Sequence, residues 1–259
     1  MIASNDNQAT AEQRIWVDNG RGQRLAGALT GPVGASLAIC CHGMLSSKDG
    51  DKHRLLVQLL QQRGVSAFRF DFAGLGESDG RLFDMTYSGE MHDLLAVIEH
   101  FAAAGVQRFG VFGSSMGGAV ALLAAAREER VVALATLAAV AHPEALHERH
   151  LDAVMAWNRD GYVDTEIGRI GRQFMDDALE HDVLAAVRVL RAPLLVYHGE
   201  EDDVVPCSDG HDIAANARNA QLELVPGAGH RFADPVYQRP AMTHIADFLA
   251  AAIAQPSIA

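Results

Sequence analysis

The sequence predicts an α/β fold: a mostly parallel eight-stranded sheet flanked by helices, with a helical cap insertion. Two patterns predict it. Short apolar or β-branched runs alternate with longer stretches of helical period along most of the chain. Several runs are continuously apolar, as in Leu194-Leu195-Val196, which suits strands buried on both faces.

Residues 1–13 are poor in large apolar side chains and are expected to form a disordered tail. Arg14 to Val17 and Arg24 to Leu29 read as strands. The turn formers Asp18-Asn19-Gly20-Arg21-Gly22 join them into an opening hairpin, which would supply antiparallel edge strands. Further strands are expected at Ser36 to Cys41, Val65 to Phe70, Arg108 to Phe112, Val131 to Ala139, Pro193 to Tyr197 and Gln221 to Val225. Helices are expected at Lys52 to Arg63, Ser88 to Ala104, Met116 to Glu128, Ser208 to Ala217 and Val236 to Ala254.

One interval breaks the alternation. Residues 141–191 contain no expected strand, and turns fall at Asp160-Gly161 and near Gly168 and Gly171. The stretch is too long and too apolar for a linker, so it reads as a helical cap. The core is then residues 14–140 and 192–259. Within the cap, Trp157, Tyr162 and Phe174 are the side chains expected to meet a substrate.

Composition narrows the function classes. The 259 residues are 49% hydrophobic and 21% charged, an ordinary globular composition. Lys and Arg total 21 against 33 Asp and Glu, giving −12. That balance argues against a protein that tracks nucleic-acid phosphates. Three cysteines, two of them adjacent at Cys40 and Cys41, make a poor disulfide framework and fit a reducing, cytoplasmic setting. No basic segment followed by an apolar run opens the chain, and no run approaches the ~20 apolar residues of a spanning helix. No His, Cys or Asp group has structural-zinc spacing, so no metal is expected. The glycines between Asp71 and Gly80 lack the spacing of a dinucleotide fingerprint and read as a structural turn anchored by Asp71. No cofactor is therefore expected.

Chemistry concentrates at Gly113-Ser114-Ser115-Met116-Gly117, a G-x-S-x-G pattern between an apolar strand and an Ala/Leu-rich helix. A serine on such a sharp turn needs bare neighbours two positions away, where a side chain would strike backbone. That requirement selects Ser115, because Ser114 would be flanked by Phe112 and Met116. A serine hydroxyl needs a base, and the base needs an orienting acid. In this arrangement the chain order is Ser, then acid, then His. The strand at Leu194 to Tyr197 runs into His198-Gly199-Glu200-Glu201-Asp202-Asp203. The next strand runs into Gly227-Ala228-Gly229-His230. Asp202 is the expected acid, with Glu201 and Asp203 as competitors. His230 is the expected base, ahead of His42, His198 and His211. Oxyanion donors are expected from the backbone N–H of Met116 and of Met44, in the loop after the strand ending at Cys41. His42 and Gly43 would shape that loop beside the substrate.

At these residues the chain resembles the α/β-hydrolase superfamily, from about Ile15 to Leu249. The motifs are His42-Gly43, Arg69 to Ser78, Gly113 to Gly117, Gly199 through Asp202 to Pro206, and Gly229-His230. Phe70-Asp71-Phe72 through Gly80, with Met85-Thr86 and the tail His230 to Asp234, looks like the bacterial cinnamoyl/feruloyl esterase group. Ser114, Met116 and Met44 depart from that group, which often carries His, Gln and Phe there. Ser-Met-Gly-Gly also occurs in monoglyceride lipases and carbon–carbon hydrolases. The resemblance implies a serine esterase that cleaves a small or medium-sized ester through an acyl-enzyme. The protein would act as a monomer or homodimer, without nucleic-acid or membrane partners. Carbon–carbon hydrolysis, acyl transfer, peptide hydrolysis and ligand sensing by a slow triad are alternatives on the same scaffold.

Overall fold

The computed structural model describes residues 12–254. Residues 1–11 of the expected tail lie outside the described residues, and Gln13 already belongs to the first strand. In chain order the strands are β1 (Gln13–Asp18), β2 (Arg24–Thr30), β3 (Ser36–Cys41), β4 (Ala67–Phe70), β5 (Arg108–Ser114), β6 (Val131–Leu137), β7 (Tyr162–Thr165), β8 (Gly168–Gly171), β9 (Leu194–Gly199) and β10 (Ala220–Val225). The helices are α1 (Asp51–Gln62), α2 (Tyr87–Ala103), α3 (Met116–Ala125), α4 (Leu146–Arg149), α5 (Leu151–Asp160), α6 (Gln173–Ala178), α7 (Val183–Val189), α8 (Cys207–Asn216) and α9 (Pro235–Ala254).

Eight strands form one sheet in the order β1-β2-β4-β3-β5-β6-β9-β10. β2 is antiparallel to both its neighbours, and every other pairing is parallel. Alternate residues serve opposite faces, as the two-residue strand period requires. Cys40, Phe112, Leu195 and Tyr197 pack with α1 and α9. Cys41, Val111, Leu194 and Val196 pack with α2, α3, α7 and α8. Burial on both faces is why these strands read as unbroken apolar runs. Cys40 and Cys41 are buried, unpaired thiols within this core. No helix among the described residues is long and apolar enough to cross a membrane.

The parallel strands place their C-terminal ends together. The loops after β3, β5, β9 and β10 therefore carry Met44, Ser115, Asp202 and His230 to one edge.

The interval 141–191 departs from the all-helical expectation. Tyr162–Thr165 pairs antiparallel with Gly168–Gly171, with Tyr162 opposite Gly171. The signal was too short to read: two four-residue strands with little apolar alternation, joined by a tight turn at Gly168 (φ +146°). The hairpin is held by α5, whose Trp157 indole N–H donates to the Ile170 carbonyl at 3.0 Å.

Candidate active site

Ser115 stands between β5 and α3 with φ +56° and ψ −126°, a conformation that costs a non-glycine residue energy. The surrounding backbone enforces it. The Ser115 N–H donates to the Leu137 carbonyl at 2.9 Å, and the Ser115 carbonyl accepts from the Gly118 N–H at 2.9 Å. The bare flanks are required. A Cβ on Gly113 would stand 2.3 Å from the Gly117 carbonyl oxygen, and one on Gly117 would stand 2.2 Å from that of His42.

The structure brings Ser115, His230 and Asp202 into one hydrogen-bonded chain. Ser115 Oγ lies 3.0 Å from His230 Nε2, and His230 Nδ1 lies 2.8 Å from Asp202 Oδ2. With Nδ1 donating to the carboxylate, Nε2 is left to accept the serine proton. Asp202 is held from several sides. Its Oδ1 accepts the N–H groups of Val204 at 2.9 Å and Val205 at 2.8 Å. Buried His198 approaches Oδ2 at 3.3 Å. Burial pushes the Asp202 carboxyl up, but the hydrogen bonds from His198, His230 and Val205 outweigh it and hold it well below the usual range. Glu201 and Asp203 are exposed and take no part. His211 is exposed on α8. The single His198 Nε2–H is shared between Asp202 Oδ2 and the Val205 carbonyl, 3.0 Å away, a supporting role.

Met44 and Met116 both line the cleft beside Ser115. Among the described residues no hydrogen bond takes up either backbone N–H. The loop carrying Met44 is braced from behind. His42 is fully buried, accepts the Phe72 N–H on Nε2 at 3.2 Å and donates from Nδ1 to the Gly43 carbonyl at 2.9 Å. Burial pushes its imidazole below the ordinary value, which keeps it neutral in that role. Four residues further on, Lys48 is tied to Asp71 by its backbone N–H at 2.7 Å and its ammonium at 2.8 Å. Asp71 Oδ2 also accepts the Glu77 N–H at 3.0 Å, so Asp71 anchors its own turn as well as the Met44 loop.

The cleft measures about 520 Å³ with its open mouth included. Its apolar wall is Tyr87, Met116, Val140 and Phe174, and its polar rim includes His142, Arg149 and His150. Of the substrate contacts expected from sequence, Phe174 reaches this wall. Trp157 does not: it is 3% exposed and packs behind Phe174 at a ring distance of 5.8 Å. Tyr162 lies on the hairpin under the Arg169 guanidinium, 4.1 Å away. His42 and Gly43 also lie outside the lining. Gly43 packs against the turn instead, where a Cβ would stand 3.0 Å from that of Ser115. Tyr87 and Arg149 were not legible as site residues, because they lie 62 positions apart in the chain and meet at the cleft only in the folded structure. Arg149 is fixed there by a two-pronged pair with buried Asp209 at 2.8 and 3.0 Å. Among the described residues no group of three or more His, Cys, Asp or Glu could hold a metal ion.

Comparison with known proteins agrees with the fold and family. The human mitochondrial palmitoyl-protein thioesterase ABHD10 is 28% identical over 194 residues, covering 71% of this chain and 62% of that one. The chain thus spans about three fifths of the length of that relative. Est1E from Butyrivibrio proteoclasticus, solved with ferulic acid bound, superposes with a TM-score of 0.80 at 23% identity, covering 93% of this chain and 100% of that one. Mouse alpha/beta hydrolase domain-containing protein 10 superposes with a TM-score of 0.77 at 22% identity, covering 91% and 97%. The pattern of the prolyl oligopeptidase family matches residues 53–255. With the G-x-S-x-G turn of Ser115 at the C-terminal edge of an eight-stranded, mostly parallel sheet, the chain has the α/β-hydrolase fold, and the match over residues 53–255 makes it a member of the prolyl oligopeptidase family.

Proposed function

We propose that the protein hydrolyses a carboxylic ester through an acyl-enzyme on Ser115. The observation that carries this reading is the unbroken chain Ser115 Oγ–His230 Nε2 and His230 Nδ1–Asp202 Oδ2, at 3.0 and 2.8 Å. His230 takes the Ser115 proton as the hydroxyl attacks the acyl carbon. The Met44 and Met116 N–H groups hold the oxyanion. His230 then gives the proton to the leaving alcohol, leaving the acyl group on Ser115. Water, deprotonated by His230, attacks the acyl-enzyme and releases the acid. Asp202 orients His230 and stabilises its cation, staying ionised throughout. The apolar wall of Tyr87, Val140 and Phe174 accommodates the acyl group of a small or medium-sized ester.

A thioester is a second reading, favoured by the thioesterases among the relatives. It uses the same steps with a thiol as leaving group. The test is hydrolysis of a p-nitrophenyl ester series from acetate to long acyl chains, with methyl ferulate and acyl thioesters alongside and Ser115→Ala as control. Turnover lost in that variant is the expected result. Folded protein without turnover on any of them, or turnover surviving Ser115→Ala, would overturn the reading.

A further inference from the structure

Directly behind the Ser115 turn lies an ammonium group for which the proposed reaction has no stated use. Lys52, near the start of α1, is half-buried and donates from Nζ to Ser114 Oγ at 2.9 Å. Ser114 is 2% exposed and immediately precedes Ser115. An ammonium has three donors, and a desolvated one is costly unless paired with a carboxylate. Among the described residues Lys52 makes no ion pair, and its side-chain partner is a neutral hydroxyl.

The groups around it are few. The Asp202 carboxylate, from the loop after β9, attracts it, and exposed Arg231, next to His230, repels it. On its own helix, His53 is buried and neutral, and Asp51 is exposed. A charge kept this close to the turn and left without an ion pair is poor structural chemistry. It is good electrostatic chemistry, because the oxyanion that forms when Ser115 attacks is held at the same turn, by the Met116 N–H two residues along from Ser114. A fixed cation in a low-dielectric surround favours that charge without reorganising.

We propose that Lys52 is a positioning residue for the Ser115 reaction: through Ser114 it braces the turn that holds the nucleophile, and its positive charge is part of the brace. The inference rests on the acyl-enzyme reading above. Lys52 does not line the cleft, so its effect belongs on kcat and not on KM. Burial pulls its ammonium down to about 8, which brings loss of the charge into an accessible pH range.

The experiment is kcat and KM from pH 6 to 10 for the wild type, Lys52→Met, Lys52→Arg, Ser114→Ala and the double variant Lys52→Met/Ser114→Ala. Lys52→Met is expected to lower kcat about tenfold, the worth of one hydrogen bond to a charged group, with KM within about twofold. Lys52→Arg keeps the charge and recovers part of the loss. The double variant is no worse than Lys52→Met, because both substitutions cut one tether. The wild-type kcat declines above about pH 8, and that decline is absent from Lys52→Met. A wild-type kcat in Lys52→Met overturns the proposal. So does a lowered kcat that keeps the alkaline decline and adds independently to Ser114→Ala, the signature of a merely structural residue. Should Lys52→Met fail to fold, an unchanged kcat in Ser114→Ala overturns it alone. Activity that survives Ser115→Ala defeats the acyl-enzyme reading instead, so the two failures are distinguishable.

Discussion

Gly117 and His42 meet backbone to backbone: a Cβ on Gly117 would stand 2.2 Å from the His42 carbonyl oxygen and 2.8 Å from that of Cys41. This contact seats the Ser115 turn against the loop that carries Met44. Gly117→Ala must push the two apart. It is expected to cost about 3 kcal/mol, the upper range of overpacking, because backbone cannot move aside as a side-chain end can. Urea unfolding of the variant measures it, and a cost under about 0.5 kcal/mol would mean the seat is soft.

Asp202 presents one oxygen to His230 and the other to two backbone N–H groups. Asp202→Asn puts an amide N–H₂ among these donors, so either His230 or the loop loses its acceptor. A fall in kcat of roughly 10⁴ is expected, with the fold retained, because the imidazole takes the wrong tautomer. Single-turnover kinetics and circular dichroism together check it. Near-wild-type turnover would remove Asp202 from the mechanism.

Acid should destabilise the protein well above the carboxylate range. His53 is 1% exposed, and burial, reinforced by Lys52 and His42, pushes its imidazole down to about 3. The unfolded chain takes up a proton at this residue near ~6.5, where the native state does not. The unfolded state therefore binds more protons between those values, and stability rises with pH across them. The contribution is complete above ~6.5 and is lost as pH falls toward about 3, at up to ~1.4 kcal/mol per pH unit for this one group. His53→Leu should flatten the stability–pH curve in that window. An unchanged slope in denaturant titrations would refute it.

Phe174 closes the apolar wall of the cleft and stacks on Tyr87 at 5.6 Å. Phe174→Leu removes part of that wall. The ratio of kcat/KM for p-nitrophenyl octanoate over acetate is expected to rise about tenfold, the low end of what even one methylene commands in a hydrophobic pocket, since the substitution frees the space of three carbons. An unaltered ratio would place acyl selection elsewhere.

The strands and helices of the core were readable because each carries its own local signal. β3 runs from Ser36 to Cys41 in the sequence and in the structure. The helices α2 and α9 begin one residue earlier than their periodicity suggests, which is within the fraying of any helix end. β7 and β8 were not readable, because four-residue strands have no room for a pattern and depend on Trp157 for their place.

The site divides the same way. Ser115, Asp202 and His230 could be chosen from sequence because backbone strain demands glycine at 113 and 117, and because parallel strands return their ends to one edge in chain order. Those are constraints of covalent geometry and topology, and a linear chain records them. The wall of the cleft is different. Tyr87 opens α2, Arg149 ends α4, and Trp157 and Phe174 are two aromatic residues of the interval 141–191 with opposite fates. Which aromatic faces the cleft, and which lies behind it, depends on how residues 141–191 pack against the rest of the core. That packing sums many weak, non-directional contacts between residues far apart in the chain, and so leaves no pattern at any one of them. Lys52 shows the same division: a helical lysine in the sequence, it meets Ser114 only because α1 is laid against β5.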